Sequence, residues 1–368
     1  MIPVSEPLLN EQASKYVKEC MQTNWISSEG RFIQEFEAKW ADYCGMDYGI
    51  AVSNGTTALQ IAVACLGLEP GDEVIMPTFT IISCALAIIE VGAVPVLVDS
   101  DSHTWCMNVG QIEEKITART RAIMPVHMYG HPVNMDPIQE LARKYNLVVI
   151  EDAAEAHGAE YKGRKVGGIG DLSCFSFYAN KIITTGEGGM VLARSADHAE
   201  KLRSLRNLCF QKDQRFYHTE LGHNYRLTNL QAAIGLSQVE QIEEHVAKKR
   251  WMGEAYTERL KGMYQISLPV EEPWAKNVYW MYGVVLANDV KYDAVEFARR
   301  LRENGVDTRP FFIGMHEQPV FKKQGMFKME QYPVAEHIAR RGLYLPSGLT
   351  LTEAQLDQVC DVVRRVLV

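Results

Sequence analysis

No apolar run in this sequence is long enough to cross a bilayer. The longest, Ile81 to Ile89, is interrupted by Ser83 and followed by Glu90, well short of the ~20 residues a membrane helix needs. No Cys-x-x-Cys occurs; the eight cysteines are scattered at 20, 44, 65, 84, 106, 174, 209 and 360. That scatter argues against a zinc site or a disulfide framework and predicts reduced thiols. Positive charge is short, with 38 Lys and Arg against 46 Asp and Glu and a formal charge of −8. Nucleic acid is therefore not an expected partner, and an anionic ligand needs a local basic patch. No Gly-x-Gly-x-x-Gly follows the first strand, which counts against a dinucleotide-binding oxidoreductase. Internal repeats and low-complexity tracts are missing. The opening residues, Met1-Ile-Pro-Val-Ser-Glu6, lack the charged and apolar regions of a signal peptide, so a cytoplasmic protein is expected. No metal is expected.

What is present is an ordinary globular composition over 368 residues, 47% apolar and 23% charged, enough for two packed domains. Short apolar runs alternate with amphipathic helical patterns from Tyr48 onward. The runs are Tyr48–Ser53, Glu73–Pro77, Ala93–Asp99, Arg121–His127, Leu147–Asp152, Leu172–Phe177 and Met190–Ala193. This rhythm predicts an α/β fold, a mostly parallel seven-stranded sheet covered by helices on both faces. Helices are expected over 7–23, 80–91, 108–116 and 135–145, and from Asn229 to about Val246. Ligands of such sheets bind beyond the strands' carboxyl ends, so Asn54, Pro77, His127, Asp152 and Ser176 should converge. After the charge run Lys248-Lys-Arg250 the rhythm changes. A strand is expected at Tyr279–Leu286, a helix at 293–303, a turn and strand at Gly305–Arg309, and a last helix at 352–367. The predicted division is a large domain over 1–245 and a smaller α+β domain over 246–368.

One stretch organises the chain. Ser176-Phe-Tyr-Ala-Asn-Lys181 is followed by Thr184-Thr-Gly-Glu-Gly-Gly189, which sets a lysine between two buried strands. Such a lysine is costly without a partner or a task. Imine formation with a carbonyl cofactor is a suitable task, and pyridoxal phosphate is the usual carbonyl; a solvated loop lysine is the alternative. Upstream, the strand ending at Ser53 feeds Asn54-Gly-Thr-Thr57 at the start of a helix with apolar positions Ala58, Ile61, Ala62, Cys65 and Leu66. Free N–H groups at that helix start suit a phosphate; ordinary N-capping is the alternative. Asp152 ends the most apolar strand. It suits a protonated pyridine nitrogen, or else a helix cap. Glu155 and His157 can line the same pocket, although His157 also reads as a core histidine. The loop Trp25-Ile-Ser-Ser28 is either a helix connection or a site loop. Arg203, Arg206, Lys212, Arg215, His218 and Arg226 concentrate positive charge in an acidic chain, and arginines suit a diphosphate.

With these residues in place the chain resembles the DegT/DnrJ/EryC1/StrS family, fold-type I aminotransferases dependent on pyridoxal phosphate that act on nucleotide-linked sugars. The resemblance runs from Trp25 nearly to the C-terminus. It rests on Ser53-Asn-Gly-Thr-Thr-Ala-Leu59, Pro125-Val-His-Met-Tyr-Gly130, Glu151-Asp-Ala-Ala-Glu-Ala-His157, the lysine segment and its glycines, and Asn224-Tyr-Arg-Leu-Thr-Asn229. Trp25-Ile-Ser-Ser28, Gly130-His-Pro-Val-Asn-Met-Asp136 and Thr308-Arg-Pro-Phe-Phe312 with His316 point to members acting on GDP-linked 4-keto-6-deoxy sugars. The resemblance implies amino transfer from L-glutamate to a sugar such as GDP-4-keto-6-deoxymannose, the cofactor passing through pyridoxamine phosphate. It implies that Lys181 bonds the cofactor and shuttles protons, that Asp152 pairs with the ring nitrogen, and that Glu155 sits near the ring hydroxyl. Gly55, Thr56 and Ser176 would hold the phosphate. Asn224 would reach the phosphate of a neighbouring subunit, which makes the active unit a homodimer with shared sites. Ser27, His127, Tyr129, Arg215, Arg309 and His316 are the implied substrate contacts. Two positions depart from the family pattern: Ile81 stands where an aromatic ring is usual, and Gly314 replaces a proline before His316. A UDP- or dTDP-linked 3- or 4-keto sugar is the alternative substrate, and a PLP-fold regulator without turnover the alternative function.

Overall fold

The structure is a computed structural model that describes residues 1–211 and 213–367; Lys212, counted above in the basic segment, lies outside them. Two helices lead in, α1 (Glu11–Thr23) and α2 (Arg31–Cys44). Then β1 (Tyr48–Val52), α3 (Gly55–Cys65), β2 (Glu73–Pro77), α4 (Ser83–Glu90), β3 (Val94–Val98), α5 (Ile112–Lys115), β4 (Thr120–Ile123), α6 (Met135–Tyr145) and β5 (Val148–Asp152) alternate. A small hairpin, β6 (Glu160–Tyr161) and β7 (Arg164–Lys165), precedes β8 (Leu172–Ser176) and β9 (Gly189–Ala193).

The main sheet has seven strands in the order β1-β9-β8-β5-β4-β2-β3. Only β9 runs against its neighbours, pairing antiparallel with both β1 and β8. All other ladders are parallel. The sheet buries nearly every strand residue, as both-face coverage demands: β2, β8 and β9 are buried throughout. Six strand ends therefore open on one edge, and β9 returns the chain beside β8. That reversal places the β8–β9 connection, which carries Lys181, at the carboxyl edge.

The second half contains α7 (Ala196–Arg206), α8 (Asn229–Val239), α9 (Ile242–Leu260), β10 (Ile266–Ser267), β11 (Ala275–Lys276), β12 (Tyr282–Leu286), α10 (Ala294–Glu303), β13 (Arg309–Pro310), α11 (Pro319–Lys323), α12 (Pro333–Arg341), β14 (Gly342–Leu345) and α13 (Glu353–Leu367). An antiparallel sheet in the order β10-β12-β14-β13 is its core. The expected helix from Asn229 to Val246 is two helices. Gln241 leaves helical geometry (φ −117°, ψ 13°), and α9 continues to Leu260. No proline or glycine marks that break, so periodicity alone runs through it. The expected division at 245/246 falls inside α9. Ile242 and Val246 pack into the main core, while Met252, Tyr256 and Leu260 pack into the second core. The N-terminus joins the second core as well: Ile2 pairs with Val306, and Ser347 N–H donates to Val4 at 2.7 Å.

Candidate active site

Lys181 sits on a connection fixed by its own backbone. The Lys181 N–H donates to the Tyr178 carbonyl at 2.9 Å, and Thr184 Oγ1 donates to the Phe177 carbonyl at 2.9 Å. Its amine lies 3.7 Å from the ring centroid of Trp280, whose Nε1–H donates to the Asn180 carbonyl at 2.8 Å. The indole thus covers the lysine while its own donor ties it to the lysine loop. Burial pushes the Lys181 amine below its ordinary value, and the charges of Glu155 and Asp152 pull the other way. Burial likewise lifts Glu155 to about 7, against the Lys181 charge and the Tyr129 N–H, which donates to Oε2 at 2.8 Å. A buried amine beside carboxylates whose charge depends on the local field has the character of a proton-transfer centre.

Asp152 ends β5 and is buried. Its Oδ1 accepts from the Ala154 N–H at 3.1 Å and its Oδ2 from the Cys84 thiol at 3.0 Å. The other end of the cavity is built for an anion. Asn54 caps α3, its side chain accepting from the Thr57 N–H at 2.9 Å, which leaves Gly55 and Thr56 to head the helix. Backbone packs tightly there: a Cβ at Gly55 would come within 2.7 Å of Ser176 Cβ, and one at Gly189 within 2.2 Å of the Asn54 carbonyl oxygen. Thr56 Oγ1 and Ser83 Oγ are 2.8 Å apart. Asn54, Thr56, Ser83, Asp152, Ser176 and Lys181 all line one cavity of about 620 Å³. That volume suits a small cofactor with room for a substrate. Hydroxyls and a helix start at one end, a buried carboxylate at the other and an amine between them fit pyridoxal phosphate.

Cavity size alone would point elsewhere. A hollow of about 1040 Å³ lies over α2, but two of its arginines, Arg31 and Arg206, are engaged by carboxylates. Arg31 pairs with Glu19 at 2.6 Å and Glu35 at 2.9 Å, and Arg206 with Glu37 at 2.5 Å.

The family model of the DegT/DnrJ/EryC1/StrS aminotransferases matches residues 7–364. The chain belongs to that family. Its similar curated relatives include the GDP-perosamine synthase of Caulobacter vibrioides, 44% identical over 100% of this chain and 98% of the relative. The GDP-perosamine synthase of Escherichia coli O157:H7 is 41% identical, over 98% and 97% respectively. Among solved structures, the aminotransferase TlmJ from Streptoalloteichus hindustanus superposes with a TM-score of 0.93 at 30% identity, over 100% of this chain and 99% of that one. The protein is an aminotransferase, and its cofactor is pyridoxal 5′-phosphate.

Not every residue implied by the family pattern reaches this cavity. Gly55, Thr56, Asp152, Glu155, Ser176 and Lys181 line it. His127 does not: it is fully buried, its Nε2–H donating to Glu151 at 3.0 Å and its Nδ1 accepting from the Val133 N–H at 3.0 Å. Tyr129 is buried behind the wall, its backbone in the left-handed region (φ +52°) and its ring 5.9 Å from that of Phe312. It acts on the site through its N–H to Glu155. His316 is clamped between Thr78 (2.8 Å) and Glu336 (3.2 Å). Gly314 is explained by that clamp, since a Cβ there would lie 2.7 Å from the His316 ring. Ser27, Arg215, Asn224 and Arg309 are exposed and outside the cavity of their own chain. His157 is buried among Trp40, Phe175 and Phe177, the core position that was its alternative. Pro77 is buried in β2 and does not line the cavity.

Sequence reasoning missed Ser83, Trp280, Phe312 and Tyr344, all of which line the cavity. Ser83 follows β2 and obeys the same strand-end rule as Asn54, so it was findable. The three aromatics come from the second half of the chain, and no local pattern sends them across. They stand in the same cavity as Ile81, so aromatic surface is supplied although residue 81 provides none. Among the described residues, no group of three or more His, Cys, Asp and Glu is placed to hold a metal ion, and no helix is long and apolar enough to cross a membrane.

Proposed function

We propose that this enzyme transfers the amino group of L-glutamate to GDP-4-keto-6-deoxymannose, yielding 2-oxoglutarate and GDP-perosamine, in the cytoplasm and as a homodimer with shared sites. The observation that carries the choice of sugar nucleotide is the match to two GDP-perosamine synthases along the whole chain. Reduced thiols agree with the compartment, all eight cysteines being free.

When bound, pyridoxal phosphate supplies an electron sink and carries the amino group between the two substrates. The chain's own residues do the rest. The hydroxyls of Thr56, Ser83 and Ser176 and the start of α3 would hold the phosphate. Asp152 would face the ring nitrogen and hold a proton there. Lys181 Nζ, its basicity lowered by burial, takes a proton from the substrate carbon and returns it on the other side of the exchange. Trp280, Phe312 and Tyr344 keep water from the reacting carbon.

Support for the dimer lies on the surface. Asn224, Ser27 and Arg215 face solvent beside large exposed apolar side chains: Trp25 is 54%, Phe216 83% and Leu221 93% exposed. An isologous contact would cover these and bring the polar residues to the neighbouring site. The deciding experiment offers GDP-, UDP- and dTDP-linked 3- and 4-keto sugars with glutamate and weighs the products. A mass gain corresponding to replacement of keto oxygen by an amine, fastest with the GDP-linked 4-keto sugar, is expected. Faster turnover of a UDP- or dTDP-linked sugar would overturn the substrate assignment.

A further inference from the structure

The two oxygens of Asp152 answer to different parts of the chain. Oδ1 is held locally by the Ala154 N–H, whereas Oδ2 is held by Cys84, 68 positions away in sequence. Cys84 is fully buried and is the second residue of α4. The first residue, Ser83, faces Thr56 at the phosphate end. One helical turn therefore touches both ends of the cavity, through consecutive side chains. Thr80 Oγ1 lies 3.6 Å from the Cys84 sulfur and braces it from the preceding turn.

A thiol is a weak donor, but its direction here is fixed. Burial, and then the Asp152 charge, push the Cys84 thiol well up, so it keeps its hydrogen and donates it. Cys174, paired with Asp152 across β5 and β8, is pushed up by the same two causes and stays neutral. The charged groups around Asp152 are Lys181 and Glu155, and both line the cavity; neither is the partner of Oδ2, which Cys84 holds.

We propose that Cys84 is a positioning residue: its S–H stabilises the ionised form of Asp152 and fixes the direction of the carboxylate at the ring-nitrogen end of the cavity. The inference rests on the reading that Asp152 meets the cofactor's ring nitrogen. α4 then acts as a spacer, setting the distance from the phosphate cradle to that carboxylate.

The test uses 4′-deoxypyridoxine 5′-phosphate, which has a methyl group in place of the aldehyde and cannot bond to Lys181. Its affinity for the apoprotein, measured by calorimetry from about pH 3.5 to 9 so that the ordinary aspartate range is covered, reports the non-covalent contacts alone. The probe's own ionisations are common to every variant and cancel between them. Glu155, lifted to about 7, titrates in every variant; the Asp152 limb is the part of the acid fall in affinity that Asp152→Asn removes. Cys84→Ala should move that limb upward by roughly half a pH unit, weakening binding about twofold at the wild-type midpoint and about threefold well below it, the scale of one weak hydrogen bond. Cys84→Ser, a stronger donor, should hold the limb at the wild-type position or below it. A role in packing alone would lower affinity equally at every pH, and that outcome overturns the proposal, as do superimposable limbs for all three proteins. If Cys84→Ala fails to fold, the serine variant decides: an upward shift refutes the donor role. Asp152→Asn separates this inference from the reading beneath it. Loss of the limb in Asp152→Asn, with the Cys84 variants unmoved, removes only the inference. A wild-type acid fall and affinity in Asp152→Asn remove the ring-nitrogen reading itself.

Discussion

Glu151→Gln should destabilise the fold by an amount that follows from its hydrogen bonds. Glu151 is fully buried and accepts four. Oε1 takes the Ile169 N–H at 2.8 Å and the Gly170 N–H at 2.6 Å; Oε2 takes the Gly167 N–H at 2.8 Å and His127 Nε2 at 3.0 Å. Glutamine offers one acceptor oxygen and one donor group. Whichever way it turns, an NH₂ meets two donors. His127 cannot relieve the clash by moving its proton, because its Nδ1 must stay an acceptor for the Val133 N–H. Two buried donors are stranded, at roughly 1–3 kcal/mol each, so the cost is about 3–4 kcal/mol. In a chain of this size that is a fall in Tm of roughly 4–5 °C. The pH dependence gives a second readout. Burial raises Glu151, but His127 and the backbone N–H groups outweigh it and hold the carboxyl below its ordinary 4.5. Its folded value is depressed, so its contribution is full above the unfolded value and is lost as pH falls through the folded one. The gap between wild type and Glu151→Gln should therefore be constant near neutrality and narrow below about pH 4.5. Thermal unfolding of the two proteins across pH measures both. A variant within about 1 kcal/mol of wild type would refute the four-bond reading. So would a His127→Ala protein that keeps its stability and loses only substrate affinity, because His127 would then be a substrate contact after all.

Lys181→Ala should fold and retain cofactor through the phosphate and ring contacts, but lack the yellow colour of the lysine-bonded form. Turnover should fall by about 10³-fold or more, and comparable glutamate-dependent activity would refute the assignment. Lys249 is buried, its ammonium donating to the carbonyls of Trp280 (2.7 Å) and Ser347, and burial brings it from 10.5 to about 7. Between those values the unfolded chain binds more protons than the folded one, so wild-type stability should rise with pH through that window; Lys249→Met should flatten the rise in thermal unfolding. Coexpressed Lys181→Ala and Asn224→Asp subunits should complement, since one site of each mixed dimer is spared both changes. Verified mixed dimers that stay inactive, when each parent is inactive, would remove Asn224 from the neighbouring site.

Most of the large sheet was legible because both-face burial leaves unbroken apolar runs. Glu73–Pro77 and Met135–Tyr145 form where expected, and Asp152 and Ser176 end their strands beside one cavity. The predicted convergence failed at His127, and the reason is chemical. A strand-end histidine is drawn inward when a buried carboxylate, here Glu151, lies on the next strand. The helix 80–91 begins at Ser83, and 108–116 splits into a 3₁₀ turn at Val109–Gln111 followed by α5. The helix Pro333–Arg341 and strand Gly342–Leu345 were not anticipated, because both are short and the strand finds its partners only across the second sheet. The site's aromatic wall was illegible for the same reason: Trp280 lies 100 positions from the Asn180 carbonyl it caps.

Because α9 is one uninterrupted helix rooted in both cores, and Ile2 packs into the second core while Val4 packs into the main one, the two halves cannot be exchanged between relatives as cassettes. A chimera joined at residue 245 would cut this helix between Ile242 and Val246, both seated in the main core, and so bring Val246 from one parent into the core of the other. A crossover after Leu260 would keep that helix whole but would still mismatch the N-terminal residues with their groove beside Val306. A donor segment that travels together with residues 1–4 keeps the Ile2–Val306 pairing, but the pairing of Ala275–Lys276 with Glu160–Tyr161 and the contact of His316 with Thr78 would still join residues of different parents. Sugar specificity in this scaffold is therefore more readily moved by replacing single residues at the cavity wall than by recombining halves.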